Sequence, residues 1–471
     1  MHLLQPELHT RRAFLRRSTQ LGLAGTALPF ALNLAAMGEA AAFNATDYKA
    51  LVCVFLYGGN DYANTVVTYD DDSYNRYNTI RGGGAGQTAG GIALAKAALT
   101  PTLLTPTTPL PGGRQYALHP AMTGLAGLFN SGKAAVQLNV GPLVVPLTRA
   151  QYNSADRATY PVPPKLFSHN DQQSVWQSSS PEGSTVGWGG NIGDLALSSN
   201  GNSLFTCISV TGNAVFLSGD SALQYQVSTN GAVAINGVKN RVYGSSAVQS
   251  ALTSLIQQPR TQTLENEYNR VTTRAVTAES QITNGLAGVT LSTTFPNNNS
   301  LANQLKMVAR LIGARTSLGS KRQVFLVSLG GFDTHDNLMT NHPKLLEQVA
   351  QAMAGFQGAL DAMGVGPQVT TFTASDFGRT MTSNGDGSDH GWGSHHLVMG
   401  GAVKGGAFYG TAPTALLKGP EDVGQGRLLP STSVDQYAAT LARWFGVNDG
   451  EMREVAPSIG NFDQKNLGFL G

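Results

Sequence analysis

Cysteine is nearly absent: the 471 residues include two, Cys53 and Cys207. Each lies in an apolar, strand-like run, LVCVFL and LFTCISV. Such placement reads as two buried free thiols rather than a disulfide, and it excludes a paired-cysteine zinc signature. Charge is sparse as well. Asp, Glu, Lys and Arg make up 13% of the residues, with a net charge of +2. That balance leaves no electrostatic footprint for nucleic acid. No internal repeat is evident. The abundant residue is glycine, with 56 copies, which indicates a loop-rich chain. At 41% hydrophobic content, this length suffices for a large core in one big domain or a few smaller ones.

The N-terminus carries an export pattern. Arg11-Arg12-Ala13-Phe14-Leu15-Arg16 precedes a moderately apolar run over 21–36, then Ala40-Ala41-Ala42. A charged start, an apolar stretch and an Ala-x-Ala site form a secretory signal, and the twin arginines resemble a twin-arginine export signal. The run is too short and glycine-rich to span a bilayer comfortably. We therefore expect a signal over 1–42, the twin-arginine export machinery as a partner, and a mature chain without a stable membrane span. The destination is the periplasm or the extracellular space. Removing 42 residues takes away four Arg and two Glu, leaving 27 basic and 27 acidic residues.

The mature chain opens with Leu51–Leu56, a run expected to be a strand buried on both faces, as in parallel sheets. A strand over 134–140, another over 203–210, and further strands over 324–329, 369–374 and 397–399 are expected. The stretch 211–322 changes character. It contains a small β excursion near 213–238 and a helical stretch over 247–284, and reads as an insertion or cap. His342-Pro343 is expected to begin a helix over 344–363, and a last helix spans 434–445. His119 and His342, each before a proline, read as structural.

Chemistry collects between Val324 and Gly401, where five of the nine histidines fall between 335 and 396. Asp333 and His335 follow one apolar strand, Asp376 follows the next, and Asp61 ends the first. His390 lies on a glycine-rich loop able to fold back. Open α/β sheets place their ligands beyond strand C-termini. Asp and neutral His suit Zn, Mn or Mg. Each position alone reads more readily as an N-cap or turn residue; their shared placement at strand ends favours a site. The expected ligands are Asp61, Asp333, His335, Asp376 and His390, around one or two divalent ions. His169 is a candidate acid or base, and Arg379 a candidate oxyanion holder. Thr148 is a candidate hydroxyl nucleophile. Of His395 and His396, at most one is expected to face the site.

These motifs are similar to those of the bacterial twin-arginine-exported family catalogued as domain of unknown function 1501. The residues carrying the resemblance are Arg11-Arg12-Ala13-Phe14-Leu15, Phe55–Asp61, Phe167–Gln173, Gly330–Asn337, Ser375–Thr380 and Asp389–Gly393. That family resembles the alkaline phosphatase and sulfatase superfamily. The resemblance implies an α/β three-layer sandwich over 43–471, with a mixed, mostly parallel sheet and a largely helical insertion. It implies a metal-dependent hydrolase of phosphate or sulfate esters, acting on a small-molecule or polymeric ester. The alternative is a non-catalytic binding or assembly protein that keeps the fold. Two departures bear on this choice. Phe377 stands where the superfamily usually has His, and the Cys/Ser-x-Pro-x-Arg nucleophile motif is missing.

Overall fold

The computed structural model describes residues 45–82 and 91–471. The expected export signal and most of the glycine-rich stretch after Arg81 lie outside the described residues. Twelve strands occur among the described residues. In chain order they are β1 Lys49–Leu56, β2 Val66–Thr68, β3 Tyr116–Leu118, β4 Ala134–Gly141, β5 Cys207–Ser209, β6 Gln224–Ser228, β7 Gly231–Ala232, β8 Arg322–Leu329, β9 Val369–Ser375, β10 Ser394–Met399, β11 Ala407–Tyr409 and β12 Thr432–Ser433. Ten form one sheet in the order β11-β4-β10-β9-β1-β8-β5-β6-β7, with β12 also paired to β4. Only β10 and β7 run against the rest, so the sheet is mixed and mostly parallel. β2 and β3 form a separate ribbon.

The alternation of strand side chains divides the core in two. Ala50, Val52 and Val54 of β1 join one cluster with the helices Ser300–Gly313 and Leu338–Ala362. Leu51, Cys53 and Phe55 join the opposite cluster with the helices Trp188–Ala196 and Val434–Phe445. Helices thus cover both faces, giving the three-layer α/β sandwich. The central strands are buried along nearly their whole length, which accounts for their uninterrupted apolar sequences. Cys53 and Cys207 are both free and buried.

Three expected elements are altered. The strand over 203–210 shrinks to β5, because Asn202 caps a 3-10 turn at Ser203–Phe205 that uses up its first half. The helical stretch over 247–284 is two helices, Ser246–Gln257 and Thr263–Ala287, parted near Pro259, whose ring and missing N–H disfavour continuation. The helix expected to start after His342 begins at Leu338 and carries Pro343 inside it. Asp386 makes the early start possible: its carbonyl accepts from Leu338 N at 3.0 Å and its carboxylate from Asn337 N at 3.0 Å. No helix of the described residues is long and apolar enough to cross a membrane.

Four histidines are interior groups. Burial pushes His119 down to about 4. It pushes His342, His395 and His396 down to about 3. The unfolded chain protonates these rings near 6.5. Their contribution to stability is therefore complete above that pH and is lost as pH falls toward the folded values. Buried Asp435, raised to about 6, and His169, raised by its hydrogen bond to Asp376, act in the opposite sense, but they are two groups against four. We predict that the urea unfolding midpoint falls steadily from about pH 7.5 to about pH 5. A flat or rising midpoint would contradict this account of the four rings.

Candidate metal centre

Strands β9, β1 and β8 are neighbours, with Leu56 in register with both Leu329 and Ser375. Their C-terminal loops leave the sheet at one level. The β1 loop carries Gly58 to Asp61, the β8 loop Asp333 and His335, and the β9 loop Asp376 to Arg379. Because β10 runs the other way, the residues before it, Asp389 and His390, arrive at the same edge. The segment folds back through Thr380 N to Asp389 O at 2.8 Å and Gly378 N to Trp392 O at 2.9 Å. Gly58 closes the gap between loops. Its φ is +115°, and a Cβ there would sit 2.4 Å from Asp333 N. Only glycine suits that position.

Arg379 lies under the floor of the site and is fully buried. Its Nη1 donates to Asp333 Oδ1 at 2.8 Å and Gly58 O at 2.9 Å, while Nε donates to Ser388 O at 2.9 Å. The expected oxyanion holder is instead committed to the protein, where it aims Asp333. Burial raises the Asp333 carboxyl, but Arg379 and then the nearby His169 and His335 outweigh it, so the group sits below the usual carboxylate range.

Three imidazoles converge on that carboxylate. His169 Nε2 is 3.4 Å from Asp333 Oδ2. His335 Nε2 and His390 Nε2 are 3.2 and 3.3 Å from Oδ1. Each ring is anchored from behind at Nδ1. His390 Nδ1 lies 2.7 Å from Phe167 O, a carbonyl that can only accept, so Nδ1 carries the proton. His169 Nδ1 lies 2.7 Å from Asp376 Oδ2, which also accepts from Gln173 Nε2 at 2.8 Å and Gly58 N at 3.2 Å. His335 Nδ1 lies 3.2 Å from Asp389 Oδ1. All three Nε2 lone pairs are therefore turned inward. Anchoring of the second ring nitrogen by an oxygen is how proteins fix metal-binding histidines.

The donor set fits a cation. His335 Nε2 and His390 Nε2 face one another at 2.9 Å, and two unprotonated nitrogens at that distance repel unless a cation or shared proton lies between them. His169 Nε2 is buried without a hydrogen-bond partner. One ligand atom each from His169, Asp333 and His390 lie within 4.8 Å of one another. Burial, then His169 and Arg379, lower the pKa of His390 and keep its ring neutral. The hydrogen bond to Asp376 raises that of His169, against burial. Phe377, the departure noted in the sequence, is a buried wall whose ring lies 4.9 Å from His169 and 4.7 Å from His390.

The remaining expected residues lie elsewhere or one step back. Asp61 is buried against Arg81, with Nη2 to Oδ2 at 2.5 Å and Nη1 to Oδ1 at 3.1 Å. It also accepts from Ser388 Oγ at 2.7 Å and caps a short helix through Asn64 N. Both of its oxygens are committed, so it does not face the imidazoles. Asp376 stands behind His169 rather than beside it. Exposed Thr148 caps the helix Arg149–Tyr152 in a reciprocal pair with Gln151 and makes no hydrogen bond to the cluster. His395 and His396 both point into the interior. His395 Nδ1 accepts from Asn139 N at 3.0 Å, and His396 packs on Trp176.

Sequence reasoning missed Asp389, Gln173 and the Phe167 carbonyl. Asp389 and Gln173 lie inside motifs already visible. Phe167, with a positive φ of 71°, gave no residue-type signal because its backbone does the work.

Residues 48–458 match the sequence model of DUF1501, described as a protein of unknown function. The chain belongs to this family. No curated protein matches it. Solved structures similar to the DUF1501 chain include Ps i-CgsB in complex with k-i-k-neocarrahexaose, at 10% identity and TM-score 0.34, covering 88% of this chain and 77% of the other. Another is the PsFucS1 sulfatase from Pseudoalteromonas sp., at 10% identity and TM-score 0.35, covering 98% and 76%. A third, BT33494S-sulf of Bacteroides thetaiotaomicron, has 9% identity and TM-score 0.32, covering 86% and 74%.

Asp376 offers a direct test of the anchoring scheme. Asp376→Asn keeps the shape but weakens the hold on His169 Nδ1. We predict a loss of divalent-metal affinity of about 10- to 100-fold, read by titration against a chromophoric chelator. Unchanged affinity would show that His169 is not a ligand.

Proposed function

We propose that this DUF1501 protein is an exported, metal-dependent hydrolase of phosphate or sulfate esters. The observation that carries the metal is the inward turn of three anchored imidazoles onto Asp333. His169, Asp333 and His390 would hold one divalent ion. When bound, that ion supplies Lewis-acid polarisation of an ester oxygen. Zn, Mn and Mg suit a set of imidazole and carboxylate to differing degrees, with Zn favoured by the imidazoles.

The chain's own groups do the rest. His335 is the most exposed of the three rings, at 39%. With Nδ1 held by Asp389, its Nε2 takes the proton of an attacking water. The new bond forms from that water oxygen to phosphorus or sulfur. The bond to the ester oxygen breaks, the leaving oxygen takes a proton from solvent to depart as the alcohol, and His335 returns its proton to solvent. Phe377 keeps one wall of the site dry. His169 and His335 thereby exchange the roles that sequence spacing suggested. Export rests on Arg11-Arg12 and the small-residue run after it.

The non-catalytic alternative has its own support: no hydroxyl side chain hydrogen-bonds to the ligand atoms of the cluster among the described residues, and Arg379 is committed. One experiment separates the readings. Metal content is measured for the parent and for an Asp333→Ala/His390→Ala variant, beside turnover of aryl phosphate monoesters, diesters and sulfates. We predict about one equivalent bound, lost in the variant together with ester turnover. Metal without turnover of any ester would favour the binding protein. No metal after reconstitution with Zn, Mn and Mg would remove the hydrolase reading.

A further inference from the structure

Nine of the eleven exposed large hydrophobics among the described residues lie between Leu223 and Val271. Three of them form a stripe on the helix Thr263–Ala287. Leu264 is 86% exposed, Tyr268 69% and Val271 50%. Ala275, also exposed, continues it. The spacing 264, 268, 271, 275 alternates four and three, the seam of a helix that packs on another helix. Over about 16 Å this seam stays largely open to solvent. The helix meets the body through its C-terminal half, where Ala278, Ile282 and Leu286 continue the same stripe and are buried, and through Asn269 on another face.

The charges beside the seam identify its occupant. Glu267 and Arg274 flank the stripe on the same side, seven residues apart; both are exposed and lie 3.3 Å from each other within one chain, an exposed pair that two copies can exchange. An antiparallel copy of this helix, related by a two-fold axis near Asn269 and Arg270, stacks Leu264 on the partner copy's position 275 and Tyr268 on its position 271. In that register Glu267 of each copy comes beside position 274 of the other. The seam is self-complementary in both apolar and charged positions, as an isologous two-fold contact requires. We infer that the protein forms a homodimer through the seam of this helix, an interaction that does not depend on the metal centre.

Sedimentation equilibrium of the full chain tests this. A concentration-dependent dimer is expected. Tyr268→Glu with Leu264→Lys should raise its dissociation constant by roughly 30-fold or more. Glu267→Arg alone and Arg274→Glu alone should each weaken the dimer, and the two together should restore it. Leu264→Cys with Ala275→Cys should cross-link under mild oxidation, since the two native cysteines are buried. A monomer at every concentration overturns the inference. So does a dimer indifferent to the Tyr268/Leu264 variant, which would place its contact elsewhere. An unchanged melting temperature and metal content in that variant exclude misfolding as the cause of dissociation.

Discussion

One guanidinium ties the functional edge together. Arg379, on the loop after β9, reaches the β1 loop at Gly58 O, the β8 loop at Asp333 and the returning segment at Ser388 O. A planar fork can satisfy several acceptors at fixed angles, which a lysine cannot. Four pieces of backbone, distant in sequence, are thereby held in one arrangement. The direction of Asp333 follows from it, and the three imidazoles are arranged around Asp333. Burying such a charge is unfavourable unless its donors are matched, so the arrangement tolerates little displacement. Gly58 belongs to the same constraint, since a side chain there would push Asp333 away.

Below this level lies a second buried ion pair, Asp61 with Arg81. Ser388 joins the two, donating its hydroxyl to Asp61 while its carbonyl accepts from Arg379. The carboxylates at the sheet edge therefore divide by depth. Asp61 secures the base, Asp376 and Asp389 steer histidines, and Asp333 faces the site. One facing carboxylate and three rings anchored at Nδ1 would suit one ion better than a bridged pair.

The sandwich was largely legible because its central strands are buried on both faces and so appear as unbroken apolar runs. The last helix, Val434–Phe445, was legible to the residue, since its amphipathic pattern is complete. The site was legible as a neighbourhood. Strand ends collected Asp333, His335, Asp376 and His390, and the topology brings all four to one edge. Their ranking was not legible. Asp61 and Asp333 look alike in sequence, and what separates them is which one meets Arg81, a partner 20 residues further along the chain. Arg379 likewise gives no sign in sequence that its donors are satisfied by carbonyls. Thr148 and His342-Pro343 show the reverse problem, since local capping and a distant loop decided structures that local composition left open.

The central claim is that a cation belongs among His169, Asp333 and His390. The most direct test is anomalous diffraction at the zinc edge from crystals of the metal-loaded protein. The account predicts one strong peak bounded by His169 Nε2, His390 Nε2 and the Asp333 carboxylate, with His335 beside it. A protein that takes up no zinc there, or one that binds it only at other histidines, would contradict it.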